Sequence, residues 1–486
     1  MDMSLQERFG SSTRGVLVGL GVLVCFALAT LVLADVSSAA VPPTGLNCVA
    51  SEGKISGRGA SVQAHAETAF AEAYRDDYCG NTPNSPEDAA GNTMLAYNYP
   101  AAEKGSNTGS GEGLSAASCR TDAYAGVSVP YTEAQWKQLN ETPGKLEKAL
   151  CKLPFEPPFQ PKSEPFPNAS DIAAPVMTVP VVGAAVAVFV NLPASDCENT
   201  TPNNPLELTG KEVSRLFGGN VAKWNDSELV ATNPTLAKCN FPVTRIVRED
   251  SSGLSEFLKE YLVRAENERA GECDPGAKWS SFGKNTEWPG LQKPGKEGTC
   301  SEIKKTPSSG GPEEVKYTEE TAGAIGYADL ADAVAPKSSD LNITDVQNAT
   351  ATQFEAPNAG KAANCTFSVL ALPGTTASDA VGMDPEDNYA NNNEEVNHNP
   401  THVNATDLGS KYPICGLGED LIYSGLDNGA VPNAISRLSA DQRRTLYSYF
   451  SFVLSSTAQE KLGSIDYAPL PSTWLVSLRE GFQANF

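Results

Sequence analysis

The most regular hydrophobic spacing in the chain lies at 241–264, FPVTRIVREDSSGLSEFLKEYLVR. Pro242 to Val247 suits a buried strand, and Leu254, Phe257, Leu258, Tyr261 and Leu262 then recur at the spacing of an amphipathic helix. The same change of period occurs earlier, in KISGRGASVQAHAETAFAEAY. There Ile55 is expected to end a strand, Gly57 to Ala60 to turn, and Ser61 to open a helix with Val62, Ala66, Ala69, Phe70, Ala73 and Tyr74 on one face. In NTGSGEGLSAAS, Ser110 sits between Gly109 and Gly111 ahead of another expected helix. The run VPVVGAAVAVFVNLP has no polar face at all, as in a strand covered on both sides. Two further helices carry capping boxes: Thr209 with Glu212 before Val213, Leu216 and Phe217, and Ser439 with Gln442 before the stripe of Leu446, Phe450, Val453 and Leu454. After that stripe a short second helix should precede IDYAPLP. Strands alternating with helices define an α/β protein, and no fixed-period repeat suggests a solenoid or propeller.

Between these elements the chain divides by composition. Residues 15–34, GVLVGLGVLVCFALATLVLA, form an uncharged run preceded by Arg8 and Arg14 and followed by Ser38-Ala39-Ala40, a small-x-small cleavage site. Residues 1–40 are therefore a signal peptide, or an amino-terminal membrane anchor if uncleaved, since the run is long enough to span a bilayer. Either way the remainder faces outside the cytoplasm. A first body covers 41–130, and 131–175 is a Pro-rich connector including LPFEPPFQPKSEPFP, which cannot be helix or central strand. A second body covers 176–333, an Asn/Ala-rich insertion with NNNEEVNHNP covers 334–412, and 413–486 returns to strand and helix.

Composition narrows the function. Lys and Arg number 36 against 59 Asp and Glu, a formal charge of −23, which argues against a nucleic-acid partner. Only three histidines occur, His65, His398 and His402, so a zinc site or His-dependent triad would consume nearly all of them. His398 and His402 have Pro400 between them and read as loop residues; His65 reads as a partly buried structural histidine. No P-loop, no G-x-S-x-G elbow and no supported S-x-x-K set is present, so neither an enzyme nor a cofactor is expected. Of eleven cysteines Cys25 lies in the leader, and the other ten are expected to form disulfides. Cys197 with Cys239, Cys273 with Cys300, and Cys365 with Cys415 are plausible neighbours, although spacing does not fix connectivity. Asn140 and Asn404 stand in N-x-S/T motifs, which matter only in a glycosylating host.

The chemistry concentrates at the junctions of strand and helix. A helix amino terminus carries unpaired N–H groups and positive partial charge, so Ser252 and Gly253 there offer a hydroxyl and close-approach amides to an anion. Arg248 adds a planar fork matched to a tetrahedral oxyanion, and Asp250 is placed to hold it. Ser61 and Ser110 lie in similar turns. If the two bodies face each other across a cleft, these turns converge where open α/β sheets bind ligands.

GRGAS, TGSGEG, LTGKEVSRLFGGNVAKWND, VREDSSGLSEF, TAGAIGYADL and IDYAPLP occur in this order, and together they resemble the phosphate-binding proteins of bacterial phosphate ABC importers. The resemblance implies a type II periplasmic-binding fold with two lobes closing over desolvated phosphate: 41–130 and 413–486 in lobe 1, 176–333 in lobe 2. It also implies a ligand set of Ser61 and Ser110 from lobe 1 with Arg248, Ser252 and Gly253 from lobe 2, supported by Asp250 and Ser255. Ser128 stands where the family usually has an Asp that accepts the phosphate proton, Leu254 where it tends to have Thr, and Val62 where it tends to have Phe. A hydroxyl at 128 weakens the basis for rejecting sulfate. The expectation is an extracytoplasmic, monomeric solute-binding protein that hands phosphate or a similar oxyanion to a membrane permease. The alternatives are a cell-surface interaction protein on the same scaffold with a decayed site, and an extracellular phosphatase-like enzyme.

Overall fold

The computed structural model describes residues 53–74, 95–98, 109–119, 122–128, 176–193, 197, 204–266, 273, 279, 287–289, 300–308, 310–335, 341–367, 409–424 and 438–486. The leader, the connector at 131–175, His398, His402, Asn140 and Asn404 lie outside them. In chain order come β1 (Ile55–Gly59), a 3-10 turn at Ser61–Gln63, α1 (Ala64–Tyr74), β2 (Leu95–Asn98), α2 (Ser110–Cys119) and β3 (Tyr124–Val127). The long β4 (Val176–Asn191) leads to β5 (Glu207–Leu208), α3 (Gly210–Phe217), α4 (Ser227–Thr232), β6 (Thr244–Val247), α5 (Gly253–Glu266) and β7 (Glu302–Lys305). Next are α6 (Gly311–Glu319), β8 (Ala324–Asp329), α7 (Leu330–Val334), β9 (Leu341–Ile343), β10 (Asp345–Gln347) and β11 (Phe354–Glu355). Two short strands, β12 (Asn358–Ala359) and β13 (Ala362–Ala363), precede β14 (Cys415–Tyr423), α8 (Ala440–Val453), α9 (Ser456–Leu462) and α10 (Ser472–Asn485).

Among the described residues one sheet runs β2-β1-β3-β14-β4-β8-β6-β7, with β9 also on β4. β4 explains its own apolar sequence: it is buried from Val176 to Val190 because it is central to both halves of the sheet. From Val176 to Ala185 it pairs antiparallel with β14, and from Val186 to Asn191 with β8. The exchange of partners at Ala185/Val186 divides the molecule into two lobes. Lobe 1 holds β1, β2, β3, β14 and the first half of β4; lobe 2 holds the second half of β4 with β6, β7, β8 and β9. Val186 is clamped at this crossing, its N–H donating to Ile414 O at 2.8 Å and its carbonyl accepting Tyr412 Oη at 2.7 Å. The Cys365–Cys415 disulfide ties the same place, and Cys197–Cys239 and Cys273–Cys300 are also formed.

Aromatic residues fill both cores. In lobe 1 Tyr74 packs edge-on against Tyr449 and Phe452, and Tyr124 against Phe450. In lobe 2 Phe217, Trp279, Trp288 and Tyr327 form a chain of rings. Trp224 of the KWND run is fully buried and donates its indole N–H to Gly323 O at 3.0 Å, joining it to the GAIGY strand. Both capping boxes form, at Thr209/Glu212 and Ser439/Gln442.

Three details depart from the sequence reading. Ile55 begins a strand rather than ending one, because parallel pairing with β2 on one side and β3 on the other extends β1 to Gly59. Gly59, at φ +140°, passes so close to Gly126 that a Cβ would lie 2.0 Å from its carbonyl oxygen. Residues 341–363, placed within the 334–412 insertion, are built into lobe 2: β9 pairs with β4, and β10 with β5 and β11. A third late helix, α10, follows IDYAPLP and buries Trp474, Leu475, Leu478 and Phe482.

Candidate functional site

Three of the Ser-bearing turns meet at the carboxyl ends of β1, β3 and β6. Arg248 follows β6 immediately and is buried, though charged, because Asp250 holds it from two sides. Nε donates to Oδ1 at 2.7 Å and Nη2 to Oδ2. This bidentate pair fixes the guanidinium plane and leaves Nη1 directed across the cleft, 3.5 Å from Ser61 Oγ of lobe 1. Behind it the Arg248 N–H points to Tyr327 Oη at 3.4 Å, and that phenol pairs with Ser255 Oγ at 2.6 Å. Ser255 therefore braces the arginine strand from the lobe 2 core.

Lobe 1 contributes a pair of serines. Ser110, the first residue of α2, accepts the Ser128 N–H at 2.8 Å and donates to Ser128 Oγ at 3.2 Å. Gly253, the first residue of α5, comes from the other lobe against both. A Cβ there would lie 2.4 Å from Ser128 Oγ and 2.5 Å from Ser110 Oγ, so only glycine permits this approach. Beside it the Gly111 N–H reaches Ser251 O at 3.3 Å. Ser252 is buried, and its Oγ has no hydrogen-bond partner among the described residues. Thus Ser61 meets Arg248, and Ser110 and Ser128 meet Gly253, with Ser252 next in the chain. The amino termini of α2 and α5 both face this junction, adding positive partial charge to that of Arg248.

Two buried carboxyls, Glu112 and Glu314, lie near the junction. Glu112, in the first turn of α2, is pushed up to about 7 by burial and by Asp122 and Asp250, against the opposing pull of Arg58. Arg58 Nη1 lies 3.5 Å from its Oε1, and Oε2 has no hydrogen-bond partner among the described residues. Asp122 is committed elsewhere, accepting Ser56 Oγ at 2.6 Å and Arg58 Nε at 2.8 Å. Glu314, fully buried on α6, is pushed up to about 8 by burial despite the attraction of Arg248. The upward shifts favour the neutral form of both carboxyls, which lessens the negative charge facing an anion at the junction. The role of Glu314 depends on tertiary convergence, and no local pattern marks it; Tyr327 was visible only as part of the GAIGY scaffold motif. Among the described residues no group of His, Cys, Asp and Glu is arranged to hold a metal, and no helix is long and apolar enough to cross a membrane.

Comparison with known proteins adds to this geometry. A family model for the PBP superfamily domain matches residues 49–400. The phosphate-binding protein PstS of Xylella fastidiosa (strain 9a5c) is 30% identical over 169 residues, 35% of this chain and 39% of that protein. The protein of the same name from Haemophilus influenzae is 33% identical over 141 residues, 29% of this chain and 38% of its own length. The aligned part thus spans about two-fifths of these relatives. A crystal structure of the phosphate-binding protein from Stenotrophomonas maltophilia superposes with a TM-score of 0.52 at 17% identity, covering 88% of this chain and 93% of that one. This likeness shows the fold: two lobes of α/β structure with a cleft between them.

Proposed function

The chain belongs to the PBP superfamily, and on that premise we propose that it captures an inorganic oxyanion, phosphate first, between its lobes. The observation that carries the reading is Arg248, buried, held in plane by Asp250, and turned toward Ser61 of the opposite lobe. A buried guanidinium with both faces of the cleft lined by hydroxyls and helix amino termini suits a small, fully desolvated tetrahedral anion. The relatives named phosphate-binding proteins favour phosphate over sulfate. The net charge of −23 repels anions at long range, so capture rests on these local groups. The ligand leaves as it entered: the protein acts as an extracytoplasmic, monomeric binder, without a cofactor, and passes its cargo to the permease of an ABC importer. Ser61, Ser110, Ser128, Arg248, Ser252 and Gly253 are the proposed contacts, with Asp250 and Ser255 supporting them. An equilibrium binding screen of purified residues 41–486 against phosphate, sulfate and arsenate tests the reading. Saturable binding of phosphate is expected; failure to bind any of the three would favour an interaction protein whose site has decayed.

A further inference from the structure

Outside the oxyanion site a second polar contact joins the lobes. His65 lies one helical turn beyond Ser61, on α1 of lobe 1, and its Nε2–H donates to Oδ1 of Asp332 on α7 of lobe 2 at 3.0 Å. The two side chains differ sharply in setting. The imidazole is 52% exposed and can exchange protons with solvent, whereas Asp332 is 3% exposed. Asp332 is also rigid, because α7 is capped by Asp329, whose Oδ2 accepts the Asp332 N–H at 3.4 Å. Asp329 in turn accepts Tyr467 Oη at 3.2 Å, from the IDYAPLP segment of lobe 1. Two groups of lobe 1 therefore rest on two carboxyls of lobe 2, and neither contact uses a residue assigned to the ligand.

We propose that His65 and Asp332 form a proton-controlled latch between the lobes, which favours the closed, anion-holding state when the imidazole is charged. The latch rests on the functional reading above, because it acts on the closure of that same site. The groups around it are Asp332 and Asp329 from lobe 2 and Tyr467 from the loop before α10. Burial and the neighbouring Asp332 carboxyl push Asp329 well above its ordinary range. The hydrogen bond to Asp332 raises His65 against the opposing effect of its partial burial. A raised histidine stabilises the paired state fully below the pKa of the free imidazole, about 6.5, and ceases to do so as pH rises through the paired value. Closure is thus strengthened in mildly acid surroundings and weakened above neutrality. Since opening separates His65 from Asp332, linkage requires the converse: an anion that closes the cleft must make His65 harder to deprotonate.

That reciprocity gives the test. The His65 imidazole is titrated by NMR in the full chain, free and saturated with inorganic phosphate, and its signal is assigned by its loss in His65→Gln. Phosphate is expected to raise its titration midpoint by about 0.5–1 pH unit, equivalent to roughly 3–10-fold tighter binding to the protonated form. Asp332→Asn should abolish the rise, which separates the latch from simple attraction between histidine and bound anion. His65→Gln, at a position where the side chain is 52% exposed, should bind phosphate several-fold more weakly than the parent at pH 5.5 and equally at pH 8.5. Comparison at each pH cancels the ionisation of phosphate itself. Phosphate binding without a rise in the midpoint, or with the same rise in Asp332→Asn, would overturn the latch and leave the binding function standing. No phosphate binding at either pH would overturn both.

Discussion

At the scale of single residues, Arg248 and Asp250 carry opposite obligations. Both side chains are fully buried, so deleting one leaves the other as an uncompensated charge, a change that costs about 3–5 kcal/mol where it has been measured. Arg248→Ala should therefore lose oxyanion binding and unfold at lower urea concentration, whereas Arg248→Ala with Asp250→Ala should recover much of the stability and none of the binding. Calorimetric titration together with urea unfolding separates the two effects. Each lost hydrogen bond to a charged group is worth about 1.5–3 kcal/mol, or roughly one to two decades in affinity. Ser128, against Gly253, presents a hydroxyl where a carboxylate would repel a fully ionised oxyanion and accept a hydrogen bond from protonated phosphate. Ser128→Asp should accordingly sharpen the exclusion of sulfate, measured by competition of labelled phosphate with excess sulfate at fixed pH. Equal exclusion by both proteins would assign discrimination to another group, with the buried Glu112 next in line. These turn residues were legible in the sequence because Gly, Ser and Arg at strand ends have local meanings. Glu314 and the contact of His65 with Asp332 were not, since 267 residues separate the latter pair.

The elements show the same division between local and distant information. Capping boxes at Thr209 and Ser439 are written within four residues and both form. The partner exchange along β4 is invisible locally, because a strand pairing with β14 and one pairing with β8 call for the same apolar run. For the same reason the short strands of 341–363, bounded by Asn and Thr, resemble an insertion until their partners are seen. Among the helices α5 makes the sharpest demand, at its first residue. Gly253→Ala places a methyl group against Ser110 and Ser128, two short side chains that cannot swing clear without breaking their mutual bond. The change should hold the lobes apart, weakening phosphate binding at least tenfold by calorimetry while helix content by circular dichroism is unchanged. Undiminished affinity would mean that the ligand-bound lobes do not approach this closely.

For the whole molecule, buried carboxyls set the response to pH. Burial raises Glu67 and Glu112 to about 7 and Glu314 to about 8, against an ordinary value of 4.5. Between about pH 4.5 and these values the folded chain binds more protons than the unfolded chain, so stability falls as pH rises across that window. The melting temperature should be higher near pH 5 than near pH 8, and a steady rise toward pH 8 would contradict the protonated state of these groups. The two lobes, their crossing at Val186 and the disulfides among the described residues hold the site together, but the account stands or falls on what the site contains. Crystals of the protein grown with arsenate, a heavier isostere of phosphate, locate the anion through the anomalous signal of arsenic. The account predicts one strong peak within hydrogen-bond reach of Arg248 Nη1 and the hydroxyls of Ser61 and Ser110; a peak elsewhere, with this junction empty, would contradict it.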